Sequence, residues 1–123
     1  MTAPFFWAAG ALSAIWLLVH CIVSGRQIAQ PLVEATSLDP IVRHTQYLCW
    51  HFTSVGIAAM AGFFLWAAAS QAPAFAISAT LLAAGFFVVG VALVWRSGGS
   101  HLQLPQGWLF LPVAILGLAG LLT

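Results

Sequence analysis

From Asp39 to Ala69 nothing in the sequence stops a helix: DPIVRHTQYLCWHFTSVGIAAMAGFFLWAAA holds a single proline, at its second position. Asp39 reads as an N-cap and Pro40 as the first helical residue, where a missing N–H costs nothing. One helix over the whole stretch spans roughly 45 Å at 1.5 Å per residue. A bilayer's hydrocarbon core is only ~30 Å thick. The second half of the stretch is apolar enough to be a membrane span. The first half carries Arg43, His44, Tyr47, Cys49, Trp50 and His51, the densest chemistry in the chain. Its opening turns are therefore expected in the headgroup region, with the histidines near the water boundary.

Composition extends this reading to the rest of the chain. Of 123 residues, 63% are hydrophobic and 4% charged, which no soluble domain can arrange into a wettable surface. The expected fold is all-α: a single polytopic domain of four transmembrane helices in an up-down bundle. The spans are expected at about 4–24, 47–69, 74–95 and 108–122. The N-terminal segment lacks a charged n-region and a cleavage site, so it reads as the start of a retained span. Gly25 and Arg26 are expected to end the first span. A long amphipathic connector, Gln27 to Leu38, then lies along the interface. Ser70 to Pro73 is a tight turn, and Ser97-Gly98-Gly99-Ser100 a flexible link. Pro112 falls in the first turn or so of the short fourth span, where proline is tolerated.

With four spans, the first and third connectors share one side. All three basic residues (Arg26, Arg43 and Arg96) lie on that side, and the chain has no lysine. The positive-inside bias places both long connectors in the cytoplasm and both termini outside, with a bacterial inner membrane the expected location. Trp50, Trp95 and Trp108 near the charged side, and Trp7 and Trp66 near the other, fit interfacial anchoring.

This topology gathers what the sequence scatters. His20, His44, His51 and His101, both cysteines, both acids and all three arginines fall at one membrane face. His20 and His51 belong at the hydrocarbon boundary on adjacent antiparallel helices, where polar side chains are costly unless partnered. Two facing imidazoles could clamp a haem b iron, or supply two ligands to a transition metal completed by His44, Cys49, His101 or an acid. His44 and His51 are seven residues apart, roughly 10 Å along one face, too far to chelate one ion. Arg26, Arg43 and Arg96 could neutralise the cofactor's acidic groups or bind lipid phosphate. Tyr47 could donate a hydrogen bond. The competing use of His20 and His51 is an interhelical hydrogen bond that fixes packing, contributing roughly 0.6–2 kcal/mol.

Three functions follow as expectations. The first is a cytoplasmic-face His/Arg site for haem b or a metal ion, in a protein that joins other membrane subunits or copies of itself and contacts membrane lipids. The second is a non-catalytic accessory subunit of a respiratory, photosynthetic or transport complex. The third is a small membrane enzyme, or a headgroup pocket, for a lipid or quinone, with His44 or His51 as general base. No basic run suggests nucleic acid. Mid-span regions hold no charge, which argues against a proton-coupled exporter. No CxxC, HExxH, phosphate loop or nucleophile elbow is present.

Overall fold

Prolines mark where helices begin. Pro4, Pro40, Pro73 and Pro112 each sit in the first turn of an α-helix. There the absent N–H would have had no intrahelical acceptor. The computed structural model describes all residues from Met1 to Thr123. Helix α1 runs Ala3–Glu34, α2 Pro40–Ser70 and α3 Pro73–Arg96. A shorter apolar helix, α4, covers Gln106–Leu122 and opens with a 3₁₀ turn over Gln106–Phe110. There are no strands. Helices α1, α2 and α3 are long and apolar enough to cross a membrane.

Asp39 does cap α2. Its Oδ1 accepts from the Ile41 N–H at 2.8 Å and from that of Val42 at 3.4 Å. Gln71 closes α2 in the left-handed region at φ 55°, and Ala72 leads directly into α3. Asp39→Ala is expected to lower the unfolding free energy by about 1 kcal/mol. A denaturation series in mild detergent would read this, and an unchanged midpoint would show that the cap is dispensable.

The first helix departs from the expected pattern. Gly25 and Arg26 do not end it, and the expected interfacial connector is mostly a continuation of α1. Only residues 35–39 separate Glu34 from Pro40. Gly25 stays helical because the Trp50 indole packs beside it: a Cβ there would sit 3.8 Å from Trp50 Cζ2. The segment His20–Ala29 winds as a π-helix. Its downstream end adjoins Pro31, which has no N–H and crowds the carbonyl four residues back. The Arg43 guanidinium crosses the short link and donates from Nη1 to the Ala35 carbonyl at 3.3 Å. The ends of α1 and α2 thus form a tied hairpin.

Consecutive helices pack on one another, and α4 returns to α1. The Thr2 N–H donates to the Gly120 carbonyl at 2.9 Å. The core is built from Phe6, Ala9, Ile57, Met60, Phe64, Ala76, Ala79, Ala83 and Val113. Alanines let the backbones approach closely. Large apolar side chains such as Ile15, Val55, Leu81 and Leu118 point outward and are more than half exposed. The one buried polar side chain, Ser13, returns its hydroxyl to the Ala9 carbonyl at 2.8 Å.

Candidate functional site

His20 stands where α1 passes from α-helical to π-helical winding. Its imidazole lies parallel to the Trp50 indole, with ring centroids 4.6 Å apart and planes 20° apart. Nε2 is 3.0 Å from Ser54 Oγ and 3.3 Å from the Trp50 carbonyl oxygen. The Ser54 hydroxyl also donates to that carbonyl, at 3.2 Å. A carbonyl only accepts, so Nε2 carries the proton and Nδ1 remains the acceptor. This is the interhelical bond weighed above as the competing use of His20. It ties α1 to α2.

Beside His20 lies a cavity of about 190 Å³ between α1, α2 and the start of α4. Along α1 its wall is Trp16, His20, Ser24 and Ile28, a run at four-residue spacing. Trp50, Thr53 and Ile57 contribute from α2, and Gln106, Leu109 and Phe110 from α4. No charged residue lines it. Trp16 and Trp50 share a further property: both indole N–H groups are buried and neither has an acceptor. A buried donor left unpaired costs about 1–3 kcal/mol.

The other residues singled out by sequence do not converge on this cavity. His51 is exposed. Its ring stands perpendicular to Trp50 at 5.0 Å and to Tyr47 at 4.6 Å. Tyr47 lies parallel to Trp50, 6.3 Å away. Trp50 is thus the common neighbour of His20 and His51. His101 accepts at Nδ1 from the Trp108 indole N–H at 3.2 Å. His44, Arg26 and Arg96 are exposed, and Arg43 is occupied at the hairpin link. Cys21 and Cys49 are exposed free thiols. Nowhere do three His, Cys, Asp or Glu side chains gather around one point.

Haem b would need an open imidazole nitrogen on each side of its plane and cationic groups for its propionates. His20 keeps Nδ1 free of any protein partner, His51 is exposed, and the arginines do not line the cavity beside His20. Sequence reasoning missed Ser24, Thr53 and Gln106 as walls of one site. Ser13, Trp16 and His20 share one face at helical spacing, but an expected helix end at Gly25 hides its continuation through Ser24 to Ile28. Gln106 sits in a link whose path no periodicity dictates. No protein-family model, no curated protein and no solved structure matches the chain.

Proposed function

We propose that this protein spans a bacterial inner membrane as a four-helix up-down bundle, with its arginine-bearing end in the cytoplasm. We propose further that the cavity beside His20 binds the headgroup of a neutral, carbonyl-bearing amphiphile, a quinone being the class that fits best. One observation carries this: an apolar cavity without a charged wall has His20 and two tryptophans with unpaired indole N–H groups in its lining. A phosphate or carboxylate entering such a cavity would lose its hydration with no countercharge, at a cost of several kcal/mol. A quinone carbonyl needs only donors; the indole N–H groups of the lining residues Trp16 and Trp50 lack an acceptor and are buried, so a turn of either ring towards the cavity is what would bring a donor to the carbonyl. A quinol hydroxyl needs an acceptor, which Nδ1 of His20 supplies. Both redox forms therefore find a partner.

The test is a titration of the purified protein, in lipid nanodiscs, with a short-chain alkyl benzoquinone. Tryptophan fluorescence should quench saturably. With the reduced quinol form of the same probe, His20→Leu should weaken binding about tenfold, the equivalent of the one hydrogen bond accepted at Nδ1, ~1.4 kcal/mol. Quenching that never saturates, or quinol binding that is equal in the variant, would refute headgroup binding. An absorption spectrum of the same sample separates the alternatives. A Soret band would restore haem b ligation by His20 and His51. Co-purification with a large complex, with no ligand bound, would favour the accessory subunit.

A further inference from the structure

A second cleft, of about 400 Å³, lies on the far side of the α4 entry turn. It shares Thr53, Gln106 and Phe110 with the cavity beside His20. The two spaces are thus neighbours across a partition three residues wide. The second is floored by glycine. Gly85 on α3 lines it, and a Cβ built at Gly85 meets nothing within 4 Å. Phe86 stands edge-on to Phe110 at 5.0 Å and forms a smooth apolar wall. At the rim, Val89 is 57% exposed on the outward face of α3, the face that lipid covers if α3 spans a bilayer.

We infer that this trough holds the apolar tail of the molecule whose headgroup occupies the His20 cavity, with Gly85 setting the room for that tail. The inference rests on the headgroup reading above. Three features of the trough support a tail as occupant. It adjoins the headgroup cavity through shared walls. It offers almost no hydrogen-bonding groups beyond the partition itself. Its rim residue Val89 is exposed, so if α3 spans a bilayer the trough opens towards lipid and a ligand could enter sideways with no passage through water. A Cβ at position 85 meets nothing within 4 Å, so a side chain there would take up room in the trough, which makes Gly85 a specificity residue rather than a packing residue.

The experiment compares two probes of the same benzoquinone ring, one without a tail and one with a long isoprenoid tail. Binding is measured at equal mole fraction in nanodisc lipid. Wild-type protein should prefer the long-tailed probe by about tenfold. Gly85→Leu should abolish that preference and leave the tail-less probe's affinity unchanged, while Gly62→Leu, at another open glycine, should change neither. Val89→Trp at the rim is the second variant, expected to reduce only long-tail binding. Equal wild-type affinity for the two probes would mean that the trough holds an ordinary lipid chain, and would overturn the inference with the headgroup reading intact. Unaltered preference in both variants would overturn it equally. Failure of the tail-less probe to bind wild-type protein would remove the headgroup reading, and the tail proposal with it.

Discussion

Gly107→Val is expected to destabilise the fold by about 3 kcal/mol or more. At this point α3 and the entry turn of α4 touch backbone to backbone. A Cβ built on Gly107 would sit 2.8 Å from the Val91 nitrogen and 2.9 Å from the Gly90 carbonyl carbon. Reciprocally, a Cβ on Gly90 would sit 2.6 Å from the Gly107 Cα. No real Cβ tolerates such distances, and no side chain is present that could swing away. The helices themselves must part. Overpacking that a side chain can absorb costs about 1–3 kcal/mol; moving two backbones belongs at or above the top of that range. Gly62→Val is the matched control, because a Cβ there meets nothing within 4 Å. Both variants add the same β-branched residue to a glycine position, so a shared loss would report residue type alone. Equal unfolding midpoints for the two would show that α3 and α4 do not cross this closely.

The contrast between these glycines shows what was legible in the sequence. By residue type alone, Gly56, Gly62, Gly85 and Gly90 are equal candidates for close helix packing. The structure gives them different duties. A Cβ on Gly90 would meet backbone and one on Gly56 would sit 3.0 Å from Phe86 Cζ, whereas at Gly62 and Gly85 it would meet nothing within 4 Å. Helical periodicity identifies a face of small residues, but which neighbour arrives at which turn depends on crossing positions that no local pattern encodes. The helix starts were legible because proline and Asp39 act locally. The end of α1 was not. Gly25 is a helix-weakening residue by propensity, at about 1 kcal/mol against alanine, and packing beside Trp50 outweighs that.

The same distinction governs the site. The sequence marks His20 as an imidazole on an apolar helix that needs a partner, and the expected partner on α2 is His51. Facing helices present alternating strips, and Trp50 and Ser54, four residues apart, occupy the strip that meets His20. His51 lies one residue round the helix, about 100° away, and is exposed. A shift of one residue thus separates an imidazole pair from an imidazole bonded to serine. Ser54→Ala should report this directly. With the hydroxyl gone, His20 keeps only the longer contact to the Trp50 carbonyl, and a loss of about 0.6–1.7 kcal/mol is expected. In a double-mutant cycle with His20→Leu the two losses should be strongly non-additive. Additive losses would mean that the bond does not hold the helices.

Phe64→Ala carries the second large expected effect, and its size bears on what stabilises such a fold. Phe64 is fully buried. It lies near-parallel to Phe6 of α1 at 6.4 Å and fits a slot that exists because position 117 of α4 is glycine: a Cβ there would be 2.8 Å from Phe64 Cζ. In a soluble protein, removing such a ring costs about 3–5 kcal/mol. Part of that figure, about 1.5–3 kcal/mol, is transfer of the ring out of water. If the bundle lies in a bilayer, helices that separate still surround the ring with hydrocarbon, and the transfer part largely vanishes. What remains is lost dispersion contact and the cavity, about 2 kcal/mol. Phe63→Ala, at a ring that is 36% exposed, removes an identical group from the same helix and should cost well under 1 kcal/mol. Reversible unfolding in bicelles gives both values. A Phe64→Ala loss near 2 kcal/mol, with Phe63→Ala almost silent, is what packing without a hydrophobic drive requires. Losses near 4 kcal/mol at Phe64 would instead mean that the ring passes into water on unfolding, and that the helices are not held in lipid before they associate.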